Sequence, residues 1–95
     1  MLLFENQTTN GNSLVFPASD ETHTGGPVWL AITGTFDGAT VHLEINQESL
    51  GFTRLVGVDQ TQNDVNRIAL GNGHQFRLEL SSAGASTDIT ASVIT

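Results

Sequence analysis

The sequence predicts an all-β fold, an antiparallel, jelly-roll-like β-sandwich of about seven to eight strands, and three observations carry that prediction. Twelve threonines, 31 residues of Ser, Thr, Asn and Gln together, and 10 glycines favour strands and turns over helices. Short runs of alternating apolar and polar residues recur along the chain with turn residues between them. At 95 residues the chain fits one domain, 1–95, with a single core.

The strongest run is Val28 to Thr35, which sets Val28, Leu30 and Ile32 on one face and Trp29, Ala31 and Thr33 on the other. Phe36-Asp37-Gly38-Ala39 reads as a turn, because Gly tolerates positive φ and Asp can bond the nearby backbone. The return run, Thr40 to Gln47, places Val41, Leu43 and Ile45 inward and His42, Glu44 and Asn46 toward solvent. The two runs are expected to pair as a hairpin. Gln75 to Ser81, entered through Gly71-Asn72-Gly73-His74, turns Phe76, Leu78 and Leu80 inward. Thr87 to Ile94 closes the chain with Ile89, Ala91 and Val93 in phase, after the small-residue turn Ser81 to Ser86. Leu2 to Thr8, Asn12 to Phe16, Phe52 to Gly57 and Arg67 to Leu70 are shorter strand candidates, while Pro17 to Pro27 and Val58 to Asn66 read as exposed loops.

Charge and composition exclude several classes. The net charge is −7, and Arg54, Arg67 and Arg77 are the only strong cations, so the chain repels a polyphosphate backbone and direct nucleic-acid binding is not expected. No apolar run approaches membrane-spanning length. Met1-Leu2-Leu3-Phe4 is too short for a signal peptide and lacks a basic flank, so synthesis in the cytoplasm without a signal peptide is expected. With no cysteine there is neither disulfide nor thiolate, and oligomerisation is the available staple for so small a core.

Catalytic and metal chemistry find little support. His23, His42 and His74 are too far apart in sequence for a paired-imidazole motif, and each is expected as a surface or turn histidine. A triad of Ser13, His74 and Asp37 can be imagined, but no nucleophile-elbow motif surrounds any serine. Glu44 and Glu48 are expected to solvate the surface rather than serve as a glycosidase pair. The loop Asp59 to Asp64, with Asp20 and Glu21, offers oxygen ligands for calcium, yet Asn63 stands where an EF-hand loop needs Gly, and a solvated polar turn is expected. No cofactor and no catalytic or metal residue is therefore assigned. Trp29 is expected in the core; exposed, it becomes an interface anchor or a sugar-stacking platform.

The run Trp29-Leu30-Ala31-Ile32-Thr33-Gly34-Thr35-Phe36-Asp37-Gly38-Ala39-Thr40-Val41-His42-Leu43-Glu44 resembles a strand, G-T-F-x-G-A-T-V, strand pattern of small structural proteins of tailed bacteriophages. The strand Phe76-Arg77-Leu78-Glu79-Leu80 and the ending Thr87 to Ile94 also look like that group, and together these stretches cover more than half of the chain. Between them, Leu50-Gly51-Phe52-Thr53-Arg54 replaces the D-G-G-x-x-W hairpin associated with many of its members. The resemblance implies a non-enzymatic virion protein on the capsid surface, a decoration or cement protein that sits as a homotrimer over junctions of the major capsid protein. The residues expected to touch partners are Leu2, Phe4, Leu50, Phe52 and Arg54; Leu2 and Phe4 read equally well as part of an ordinary edge strand. The alternative is a tail, baseplate or fibre module that binds host-surface carbohydrate, for which an exposed Trp29 is the supporting feature.

Overall fold

The computed structural model describes the chain apart from Ser19, Asp20, Thr22, Thr24, Gln47, Glu48, Ser49, Leu50, Val56, Asn72 and Thr95. Among the described residues there are eight strands and no helix: β1 Leu2–Gln7, β2 Gly11–Asn12, β3 Gly26–Thr35, β4 Thr40–Asn46, β5 Phe52–Arg54, β6 Asp64–Leu70, β7 Gln75–Ser81 and β8 Asp88–Ile94. They form two four-stranded antiparallel sheets, sheet A in the order β1-β8-β3-β6 and sheet B in the order β2-β7-β4-β5. The pairings are nested: β1 with β8, β2 with β7, β3 with β6 and β4 with β5. The pairings β3·β8 and β4·β7 join these pairs into the two sheets.

The long strands turn alternate apolar residues inward, and those of the two sheets meet between them. Val28, Leu30 and Ile32 of β3 and Ile89, Ala91 and Val93 of β8 face Val41 and Leu43 of β4 and Phe76, Leu78 and Leu80 of β7, all of them buried. The phase read from sequence holds at all of these positions.

The pairing expected between 28–35 and 40–47 does not form. β3 lies in sheet A and β4 in sheet B, so residues 36–39 make a corner from one sheet to the other. Ala39 N donates to Phe36 O at 2.9 Å, while Asp37 and Gly38 take φ of 48° and 83°. The chain reverses, as the turn residues require, but it does so across the core. Phe36 and Ala39 are buried at this corner, and the Thr87 hydroxyl donates to Phe36 O at 2.8 Å. Every connection except β4–β5 crosses between sheets in this way.

Other expectations shift at their ends. Asp64 to Asn66 belong to β6 and not to a loop, because they pair with Ile32, Ala31 and Leu30; Gly26 and Pro27 likewise extend β3. Of the run 12–16, only Asn12 lies in the short β2, followed by a bulge and a single bridge from Phe16 to Phe76. β1 is also bulged: Leu2 pairs with Ser92 and Phe4 with Ala91, which turns both Leu3 and Phe4 inward. β5 ends at Arg54, short of the expected Gly57. Gln47 lies outside the described residues.

Candidate functional site

The outer face of sheet A carries an exposed apolar surface. Strand alternation that buries Val28, Leu30 and Ile32 must turn Trp29 and Ala31 outward, and the ladder then sets their neighbours. Trp29 lies between Arg67 of β6 and Ile94 of β8; Ala31 lies between Val65 and Ser92, with Leu2 beyond Ser92 on β1. Trp29 is 47% exposed, Ile94 54%, Val65 56% and Leu2 44%. Single exposed apolar residues are ordinary, but four at adjoining ladder positions form a patch of the kind that marks an interaction surface. The expectation that Trp29 is a core residue is therefore corrected. Its strand has a core on one side only, and small residues such as Ala31 and Ser92 leave the indole uncovered on the other.

The outer face of sheet B is different, because its polar side chains satisfy one another. His42 and Glu44, expected toward solvent, are each only 8% exposed. Arg54 is the strand partner of Glu44, and its guanidinium reaches Glu79, the partner of His42, so it crosses β4 diagonally. Arg77 Nε donates to Glu44 Oε1 at 2.7 Å while its guanidinium carbon lies 4.1 Å from the centre of the Phe52 ring. His42 is held between Asp59, at 2.9 Å from Nδ1, and Ser81, at 2.6 Å from Nε2. These ties make a covered polar layer rather than a free surface.

Ser81, His42 and Asp59 thus stand in the linear order of a hydrolytic triad, an arrangement that the sequence reading missed. The serine and histidine sit on paired strands and the aspartate on a loop, so only knowledge of the β4·β7 pairing could reveal it. Its setting is that of a tether: Asp59 has a side chain 45% exposed, and Val41 and Gln60 exchange two backbone hydrogen bonds beside it, at 2.8 and 2.9 Å. The imagined triad of Ser13, His74 and Asp37 is not assembled by hydrogen bonds. Ser13 Oγ bonds Leu78 N and Leu14 O, and Asp37 Oδ2 accepts from Ser86 N.

Three of the oxygen ligands proposed for a cation, Asp59, Asn63 and Asp64, have partners within the chain. Besides Asp59, Asn63 Oδ1 accepts from Gly34 N at 3.0 Å and Asp64 Oδ1 from Val65 N at 2.8 Å. Among the described residues no three His, Asp or Glu side chains converge as a metal set, and Asp20 and Glu48 lie outside them.

Of the expected partner residues, Leu2 is on the sheet A patch, whereas Phe4 is 2% exposed and belongs to the core. Phe52 lies half-buried against Arg77, and Arg54 is engaged with Glu79. Leu50 lies outside the described residues. A third feature is an apolar groove of about 520 Å³ between the sheets, with Ile45, Leu55, Val58 and Ile68 among its lining and Gln60, Asn66, Arg67 and His74 as polar residues.

The class defined by this architecture is an all-β, two-sheet domain with an apolar patch on one outer face and a self-satisfied polar layer on the other. No known protein family, curated protein or solved structure matches the chain.

Proposed function

We propose that this domain is a non-enzymatic assembly module, and specifically a decoration or cement protein that bridges major capsid subunits on the head of a tailed bacteriophage, acting as a homotrimer on the virion surface. The observation that carries the reading is the apolar face around Trp29, Ile94, Val65 and Leu2. A Trp beside an Arg at the centre of an apolar patch has the composition of an interface anchor, where a few such residues supply most of the binding energy. The nested strand pairing in two antiparallel sheets supports the expectation of a jelly roll, an architecture used by viral capsid and lectin domains. Fold alone does not assign function, so the patch and not the winding bears the weight.

The test is solution mass by light scattering, followed by co-sedimentation with phage heads stripped of accessory proteins. A trimer that co-sediments, and a Trp29→Ala chain that remains folded yet fails to co-sediment, are expected. A chain that stays monomeric at every concentration and never sediments with heads overturns the reading. The exposure of Trp29 also favours a second reading, a tail, baseplate or fibre module that stacks a host-surface sugar on the indole. That reading requires saturable glycan binding that disappears in Trp29→Ala.

A further inference from the structure

The two long sides of the sandwich are finished differently. On one side lie the edges β1 and β2, joined by a short connection and tied across the sheets by Leu14 N donating to Leu3 O at 3.3 Å. On the other lie β5 and β6. β6 pairs only with β3, so over its seven residues alternate backbone N–H and C=O groups face away from the sheet without a strand partner among the described residues. The groove between the sheets has both β6 and the residues just after β5 in its walls. Leu55 and Val58 are exposed there and Ile45 and Ile68 half-buried. Unpaired backbone beside an empty apolar groove is what an added strand fills, its backbone extending the sheet and its alternate side chains entering the groove.

The charges on this edge say what kind of strand. Arg54 and Arg77 are committed to Glu79 and Glu44, whereas Arg67 is exposed on β6 and in no ion pair among the described residues. Asp64 opens the same strand and is also exposed. Charges of opposite sign on one edge oppose indiscriminate pairing and favour a segment that matches them in register. The β6 of a second copy does not supply the match, because Asp64 and Arg67 lie on opposite faces of the strand and cannot stand opposite one another in an antiparallel β6 pair.

We propose that the open side is a strand-acceptor site for an extended segment of a different protein, carrying apolar residues at alternate positions, a carboxylate opposite Arg67 and a cation opposite Asp64. The groove and the β6 backbone edge lie outside the Trp29 face, which shares Val65 and Arg67 with this strand, and the proposal does not depend on the function proposed above. An antiparallel segment satisfying these positions reads Val-Thr-Val-Glu-Val-Thr-Lys, with its three valines turned into the groove.

That synthetic peptide, and a second with Lys in place of Glu, serve as probes against the isotope-labelled full chain, followed by NMR shifts and amide exchange. Slowed exchange across Asp64–Leu70 and shifted Leu55 and Val58 methyls are expected, with the Glu peptide bound about two- to fivefold more tightly than the Lys peptide, the range of an exposed ion pair. Arg67→Glu should invert that preference, Leu55→Asp should weaken both peptides, and Leu14→Ala, exposed on the opposite side of the sandwich, should leave both unchanged; Arg67 and Leu55 are exposed, so these two variants test binding and not folding. Absence of protection on β6 with either peptide, protection at the β1 edge instead, or an unchanged preference in Arg67→Glu overturns the proposal. A groove that responds to dodecanol but to neither peptide is a small-molecule site, and that result also overturns it.

Discussion

Replacing Arg77 by Met tests the polar layer on sheet B most directly. The substitution keeps an unbranched side chain near Phe52 but removes the guanidinium that holds Glu44. Side-chain exposures are 28% for Arg77 and 10% for Glu44, which places the pair between a surface ion pair and a buried one. Exposed pairs contribute about 0–1 kcal/mol, whereas removing one partner of a buried pair costs about 3–5 kcal/mol because the other charge is left desolvated. With Glu44 nearly covered and Arg77 partly wet, a loss of about 2–4 kcal/mol is expected for Arg77→Met. For a domain of this size that corresponds to a fall in Tm of roughly 8–30 °C, taking about 4–8 °C per kcal/mol. The companion change Glu44→Gln removes the stranded charge, so the double variant should recover at least half of the loss. Urea denaturation followed by far-UV circular dichroism measures all four corners of this cycle. A single-variant loss below about 1 kcal/mol, or a double variant no more stable than Arg77→Met, refutes the account of a covered pair that depends on mutual neutralisation.

Two further outcomes test the packing. Gly34 has φ of 134° and faces the Asp88 carbonyl of β8 so closely that a Cβ would collide with backbone, whereas Gly38 has φ of 83° with open space around it. Gly34→Ala is therefore expected to cost about 3 kcal/mol or more and Gly38→Ala about 1–2 kcal/mol, compared by thermal denaturation; equal losses would show that backbone conformation alone matters at Gly34. At the N-terminal strand, Phe4→Ala should cost about 3–5 kcal/mol as a core cavity and Leu2→Ala less than about 1.5 kcal/mol as a partly exposed position. Urea midpoints give the comparison, and equal midpoints would mean that the β1 bulge does not turn Phe4 inward.

The residues of this chain determined its strand content and which face of most strands is buried. Alternation in Val28 to Ile32, Phe76 to Leu80 and Ile89 to Val93 depends only on the two-residue repeat of an extended chain, which needs no knowledge of neighbours. The same pattern cannot say which strands lie side by side. Asp37-Gly38 reverses the chain equally well within a sheet or between sheets, so the expected β3–β4 hairpin gives way to a corner between the two sheets. Outer faces were legible only in part for a related reason. Trp29 looks like core material because it is large and apolar, and it lies exposed because it points away from the core, on a face where the nearby Ala31 and Ser92 are too small to cover it. His42 and Glu44 look like surface residues because they are polar, and they are covered because their partners Asp59 and Arg77 arrive from elements distant in sequence. The candidate patch, the Ser81-His42-Asp59 array and the open β6 edge all arise from contacts between strands far apart in the chain. Local chemistry chose the strands and their inward residues; tertiary pairing decided which surfaces were left for a partner, because exposure depends on what the neighbouring strands bring.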